Sequence, residues 1–465
     1  MPPAAFIFIP VVAITGTNGK TTVTRMIGHC FEQSGVTAGV TTTDGIWVGG
    51  HCVERGDTTG PHSARSVLFD PSVEVAVLET ARGGITWRGL GYDWSDVGVM
   101  TNIQPDHFGQ DGIEDLEDLV YIKSLVAERV RDGGTLILNA DDEELARLPE
   151  NERVARGEKR VVFFTLRENH LLVVRHLAAG GTAYLLRDGW AVEAAAEGES
   201  RLFRVADVPV TMSGTARFQM SNVLAATAAC RALGLAADQI AAALATFRGE
   251  SANPGRANLY GVASGGYVML DYGHNPEAFR AVCETAALWK GRHVTGIIGV
   301  PGDRNDELIR EAGRVAARGF HRIIIREDED TRGRRRGEVS GILCQAVAEA
   351  APGRECEVVW EEPEALEREL SRLRAVDVIV LFYDKLEPLL EVLSRHGALP
   401  VSSIEGLAAH AAQAAASAST RPLEAPPAVA PAASNVAAPA DAERRPPFVP
   451  RCEPLAATGQ LPRWR

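Results

Sequence analysis

The chain has 465 residues, 45% of them hydrophobic, with a formal net charge of −13. That length suits two or three domains, and the acidic balance disfavours a nucleic-acid partner, whose phosphates need a basic footprint. No apolar run reaches the ~18 residues of a membrane span. The seven scattered cysteines form no C-x-x-C pair, which points to reduced thiols in a cytoplasm and no structural zinc.

Residues 2–10 are apolar, but no basic residue precedes them. They read as a lead-in to the first strand rather than a signal peptide. Val11, Val12, Ala13 and Ile14 read as a buried parallel strand. The run breaks at Gly16 and Gly19, and Lys20, Thr21 and Thr22 open a helical pattern that lasts to Phe31. Strand, glycine turn, Lys-Thr, helix is the layout of a phosphate cradle. Backbone N–H groups and the positive end of the helix dipole face an anion. Gly16, Thr17, Asn18, Gly19, Lys20, Thr21 and Thr22 are therefore candidate ATP-binding residues. Lys20 would neutralise the β- and γ-phosphates, and the Thr21 hydroxyl would sit on Mg²⁺. Ile14 stands where the longer Gly-x-x-x-x-Gly-Lys form has its first glycine.

Strands follow at 38–43, 73–79, 96–101 and 135–139, with helical patterns alternating. Such a series predicts a mostly parallel sheet covered on both faces. Ligands bind beyond the C-terminal strand ends of such sheets, where Thr15, Glu79, Asn102 and Asn139 fall. Shorter strands at 161–166, 171–174, 183–186 and 202–205 read as an antiparallel extension within 151–215. Helices follow at 221–233 and 237–247, then a hinge by composition at 251–255. A second series has strands at 267–271, 293–299, 322–325, 357–360 and 377–382. The expected fold class is α/β. A P-loop domain with its extension occupies 1–250, a Rossmann-like α/β domain occupies 251–405, and a disordered Ala/Pro-rich tail occupies 406–465.

The short loop Gly16-Thr17-Asn18-Gly19-Lys20-Thr21-Thr22 resembles that of the Mur ligases and folylpolyglutamate synthases. A closer likeness begins at Thr59-Gly60-Pro61-His62-Ser63-Ala64-Arg65. It continues through Leu78-Glu79-Thr80-Ala81-Arg82-Gly83-Gly84-Ile85, Thr101-Asn102-Ile103 with Asp106-His107, and His176-Leu177-Ala178-Ala179-Gly180-Gly181. It then takes in Arg187-Asp188-Gly189-Trp190, Asn253-Pro254-Gly255-Arg256, Asp271-Tyr272-Gly273-His274-Asn275-Pro276, Pro301-Gly302-Asp303-Arg304 and the charged loop 327–334. Together these segments resemble the Mur-ligase-like module of the cyanophycin synthetases. In that family an N-terminal region and an ATP-grasp domain precede the module. The resemblance therefore leaves a separate ATP-grasp or cyanophycin-pathway enzyme as a candidate partner. The oligomeric state stays open.

The resemblance implies ATP-dependent amide-bond formation through an acyl phosphate, with Mg²⁺ as cofactor. Lys20, Glu79, Asn102, His107 and Lys123 are then the catalytic candidates. Glu79, with Thr21 and His107, is a candidate Mg²⁺ ligand, being a carboxylate at a strand end beside the phosphate loop. Asn102 would orient phosphate or metal-bound water. Lys123 resembles the lysine that many Mur-type ligases carbamylate. Its bland alternative is an exposed helix lysine. Arg256 resembles the arginine that reaches ATP phosphates, and Asp271 the ribose-binding acid. Asn222 falls in the adenine segment, where Gln219 replaces the family's earlier Asn. His274, Asn275, Asp328, Asp330 and Arg332 are candidate substrate-binding residues. Acids preceding arginines suit a guanidinium amine carrying a carboxylate, which fits arginine as the amino acid added to an aspartyl or peptide-like acceptor. Two other readings compete. One is a non-catalytic subunit that binds ATP or polymer, and the other is a folylpolyglutamate-synthase-like ligase.

Overall fold

Apolar runs set between glycine turns build two sheets. The computed structural model describes residues 9–106, 108–263 and 265–404. The lead-in before residue 9, His107 and the 406–465 tail lie outside the described residues.

The first sheet contains β1 (Val11–Thr15), β2 (Ala38–Thr42), β3 (Gly45–Val48), β4 (His51–Arg55), β5 (Val75–Glu79) and β6 (Ser95–Met100). It continues with β7 (Val130–Asn139), β8 (Arg160–Thr165), β9 (Thr182–Arg187), β10 (Trp190–Ala195) and β11 (Gly198–Arg204). Their order across the sheet is β11-β10-β9-β8-β7-β6-β1-β5-β2-β3-β4. Neighbours from β9 to β2 run parallel, and two antiparallel strands finish each rim. Successive side chains of a strand point to opposite faces. Val12 and Ile14 accordingly join the core beneath the helices Lys20–Gln33 and Arg217–Ala232. Ala13 joins the opposite core, under the helix Leu116–Glu128. All five β1 residues are buried as a result. β1 lies between β5 and β6, with Ile14 opposite both Glu79 and Val99. The chain leaves β1 toward one side of the sheet for β2 and returns on the other for β6, so a crevice opens at the end of β1.

The second sheet contains β12 (Asn258–Gly261), β13 (Tyr267–Asp271), β14 (His293–Ile298), β15 (Arg322–Ile325), β16 (Glu355–Val358), β17 (Asp377–Phe382) and β18 (Leu399–Val401). Its order is β16-β15-β14-β17-β13-β12-β18. β16 to β13 run parallel, and β12 and β18 are antiparallel additions. Asp271 pairs with Phe382 where β13 and β17 end. No described helix is long and apolar enough to cross a membrane.

Three expectations are corrected. The strand expected at 171–174 is part of the helix Leu171–Ala178. Its apolar residues obey helical spacing: Val173 is buried and Leu177, four residues on, packs on the same core, while Leu171 and Val174 are exposed. That helix is a crossover, so β8 and β9 pair parallel, and within the expected extension only β10 and β11 are antiparallel. The strand expected at 357–360 is β16, two residues earlier. The hairpin of β3 and β4 went unread. Its turn is Gly49-Gly50, both at positive φ, +55° and +78°.

Candidate active site

The phosphate loop is shaped by what surrounds it. Gly16 has φ +151°, and a Cβ there would lie 1.9 Å from the Thr101 hydroxyl. Gly19 has φ +84° and caps the helix Lys20–Gln33, and a Cβ there would lie 2.4 Å from Asn222 Oδ1. Asn102 holds the loop from the next strand end. Its carbonyl accepts from Thr17 N–H at 2.8 Å and its Oδ1 from Asn18 N–H at 2.9 Å, while its Nδ2 donates to the Asn18 carbonyl at 3.0 Å. Asn102 thus braces the cradle through its amide, and it also lines the cleft beside the loop. Lys20 Nζ donates to the Thr17 carbonyl at 3.0 Å. Burial lowers its pKa, and the carboxylates of Glu79 and Asp106 oppose that shift. The Thr22 hydroxyl faces the chain between the sheets instead of the loop: Asn253 Nδ2 donates to it at 3.1 Å. Of Thr22, only the backbone N–H at the helix N-terminus is left for an anion.

Beside the loop, hard oxygens converge. Glu79 ends β5 and is buried. Thr43 donates to it twice, from N–H to Oε2 at 3.2 Å and from the hydroxyl to Oε1 at 3.1 Å. The Thr43 hydroxyl also lies 3.3 Å from that of Thr21. A carboxylate and two hydroxyls at a phosphate loop fit Mg²⁺, which takes one or two carboxylates plus substrate phosphates and waters. Among the described residues no three His, Cys, Asp or Glu side chains cluster as a protein-only metal cage, and such a magnesium site needs none. Lys123 is not an exposed helix lysine. Only 4% of it is accessible, and its Nζ donates to the Gly16 carbonyl at 2.5 Å. Burial, reinforced by the charge of Lys20, holds its pKa well below the usual lysine value.

The second sheet supplies the other wall. The Arg256 guanidinium lies 4.1 Å over the Tyr272 ring and 3.7 Å from Asp44. Asp271 accepts from Ala257 N–H at 2.8 Å and from Gly273 N–H at 2.7 Å. Asn275 and Asn18 face each other amide to amide at 3.1 and 3.2 Å. Asn275 Oδ1 also caps the helix Pro276–Ala286 through Ala278 N–H, so this residue ties the two sheets together instead of presenting a free amide to substrate. A cleft of about 320 Å³ is lined by the loop with Gln219, Asn222, Arg256 and Asp271. Gln219 does stand in for an amide partner: its Oε1 accepts from Asn222 Nδ2 at 3.0 Å.

A larger cavity of about 730 Å³ adjoins it, reaching from Lys20, Glu79 and Lys123 to Arg304, Arg326 and Arg332. His274 lies on its wall. Nδ1 is 3.2 Å from the Tyr272 carbonyl, which places the proton there, and burial lowers its pKa to about 4. Of the charged loop, Asp328 and Arg332 reach the cavity and Asp330 does not. Asp330 Oδ1 accepts from Arg332 N–H at 2.9 Å, closing a local turn. Asp328 is paired with Arg326. Within the cavity, then, the acid of this loop is already met by an arginine of the chain, and Asp330 stands exposed outside it. Four residues were missed as site members. Thr43 ends a recognised strand. Arg304 faces Asp106 at 2.7 Å, and both are buried. Arg326 is buried at the end of β15, donating to the Phe382 carbonyl at 3.0 and 3.1 Å. Asp384 follows β17. Their positions after strand ends were the available signal.

Family models match at the Mur ligase middle domain, residues 14–230, and at the Mur ligase glutamate ligase domain, residues 255–382. The chain belongs to the Mur ligase family. As a Mur ligase it is an enzyme of the ATP-dependent ligase class. It is 38% identical over 390 residues to a cyanophycin synthetase of Trichormus variabilis (84% of this chain, 43% of that one) and 38% over 386 residues to that of Synechocystis sp. (83% and 43%). The chain thus spans under half the length of these relatives. The folylpolyglutamate synthase of Mycobacterium tuberculosis, solved with ADP and AMPPCP, shares the Mur ligase fold at TM-score 0.59 and 17% identity, over 84% of this chain and 92% of that one.

Proposed function

We propose that the chain is an ADP-forming amide ligase joining an amino acid, arginine in the first instance, to a carboxylate of an aspartyl or other peptide-like acceptor. One observation carries the reading: the two cavities share a wall, and Lys20, Thr43, Glu79 and His274 line both. ATP in the smaller cleft would present its γ-phosphate at that wall, and an acceptor carboxylate would meet it there from the larger cavity.

The acceptor oxygen attacks the γ-phosphorus as the bond to ADP breaks, giving an acyl phosphate. The amine nitrogen then adds to the acyl carbon and sheds a proton, and phosphate leaves with the electrons of the C–O bond. Positioning and charge neutralisation dominate the first step. Lys20 supplies a cation to the β- and γ-phosphates. Thr21 and Glu79 would hold Mg²⁺, which would supply further positive charge to the transferring group. Arg256 reaches the phosphates from the second sheet, Asp271 takes the ribose, and Asn222 lies on the adenine side. Arg332 is the cation for the amino acid's carboxylate. ATP would lie between a domain at 1–250 and one at 251–405, and their closure would keep water from the acyl phosphate. His107 remains a proposed second Mg²⁺ ligand on family grounds. Lys123, whose burial and neighbour Lys20 shift it toward the neutral amine, is suited to adding CO₂ with loss of a proton, which makes a buried carbamate beside Lys20. A cytoplasmic setting and a separate ATP-grasp enzyme that supplies the acceptor complete the reading.

The test is phosphate release from ATP with a matrix of amino acids against poly-aspartate and short aspartyl peptides. Release that requires both an amine and an acceptor is expected. No stimulation by any pair would overturn the ligase reading in favour of an ATP- or polymer-binding subunit.

A further inference from the structure

Five carboxylates line the larger cavity: Asp57, Glu79, Asp106, Asp328 and Asp384. Four have partners. Asp57 Oδ1 accepts from Thr59 N–H and hydroxyl at 3.1 and 2.7 Å. Glu79 holds Thr43, Asp106 faces Arg304, and Asp328 is paired with Arg326. The Asp384 carboxylate makes no hydrogen bond and no ion pair among the described residues, and only its backbone N–H is engaged, donating to Glu362 Oε1 at 2.6 Å. Lys385 N–H donates to the other oxygen of Glu362 at 3.2 Å. The backbone that carries Asp384 is therefore fixed while its carboxylate is open to the cavity.

Arg326 and Arg332 lie near enough for their charges to act on Asp384, but neither bonds it. Arg326 spends its guanidinium on the Phe382 carbonyl, Asp328 and Glu362. Arg332 donates to Asp303 at 2.9 Å. The more conspicuous acids of the neighbouring loop are occupied as well. Glu327 accepts from Gly337 and Ser340 N–H at the start of the helix Glu338–Ala350, Glu329 pairs with Lys385, and Asp330 closes its own turn. A carboxylate in a walled site is costly unless a cation meets it, and two vacant oxygens suit a bidentate guanidinium.

We propose that Asp384 selects the incoming amine by pairing with a cationic group on that amine's side chain. This rests on the ligase reading, since it assigns a specificity residue to that reaction. Arg332, on the same cavity, gives only Nη1 to Asp303, and the rest of its guanidinium then takes the carboxylate of the same amino acid.

The experiment compares arginine with citrulline, its uncharged analogue of nearly the same shape, in the amine-dependent phosphate-release assay, with lysine as a second cation. The wild-type enzyme should favour arginine or lysine over citrulline. D384N should raise KM for the favoured cation about 10- to 100-fold and leave kcat/KM for citrulline within about twofold. D384E should retain the preference for the cation. A D384N enzyme with an unchanged KM for the cation, or with equal losses for arginine and citrulline, would overturn the proposal. So would a wild-type enzyme that turns over neutral amines only, although the ligase reading would then stand. Absence of amine-dependent turnover would remove both.

Discussion

Burial acts on Lys20 and Lys123 alike, and their neighbours separate them. Glu79 and Asp106 support the charge of Lys20, whereas Lys20 itself pushes Lys123 further toward the neutral form. The consequences differ. Lys20→Met should lower kcat at least about 100-fold, as loss of a charge stabiliser at a reacting centre does, with an unchanged melting temperature as the control for folding. In the proposed reading Lys123 acts as a carbamate. Turnover should therefore fall in CO₂-stripped buffer and return with bicarbonate, and Lys123→Ala should be insensitive to either. Activity indifferent to bicarbonate in the wild-type enzyme would remove the carbamate. His274 gives a pH signature. Its folded pKa of about 4 lies below the ordinary imidazole value, so the unfolded chain binds the extra proton first. Stability is then full above the unfolded pKa and is lost as pH falls toward 4. Urea unfolding should show a decline below about pH 6.5, shallower in His274→Gln.

Among the elements, the turn between β1 and its helix is the least tolerant of change. Gly19 combines a left-handed backbone with a close approach to Asn222. Gly19→Ala should cost about 1–2 kcal/mol in backbone strain and, by displacing Asn222, weaken nucleotide binding, read by calorimetric titration of an ATP analogue. Unchanged affinity would show that the loop relaxes around the methyl. This turn was legible in the sequence because glycine spacing, an apolar strand and Lys-Thr all mark one geometry. The helix Leu171–Ala178 was not. A short apolar run fits both periods, and the sign that decides it, Leu177 falling four residues after Val173, lies beyond the run. The same limit explains the site. Glu79 and Asn102 were readable as polar residues after strands. Arg326 pairs with Asp328 two residues on, whereas its place beside the end of β17, where Asp384 stands, comes from the second sheet's strand order, which no local pattern encodes.

In the whole molecule the two sheets are joined by a few buried polar contacts. Asn253 is inaccessible, exchanges hydrogen bonds with Thr22, and accepts from Arg25 at 3.4 Å. Arg304 and Asp106 form an ion pair that is nearly as buried. Arg304→Met removes the guanidinium opposite a buried carboxylate and should destabilise the fold by about 3–5 kcal/mol, read from the urea midpoint, and Asp106→Asn combined with it should recover part of the loss. A loss below about 1 kcal/mol, the size of an exposed pair, would mean that water reaches this junction. The wall common to the two cavities has a practical reach as well. Because Lys20, Thr43, Glu79 and His274 serve both, changes there alter nucleotide and acceptor handling together. Asp384 and Arg332 line the larger cavity alone. On the proposed reading, redesign for a different amine has an address: these two positions, which stand apart from the wall that the nucleotide cleft shares.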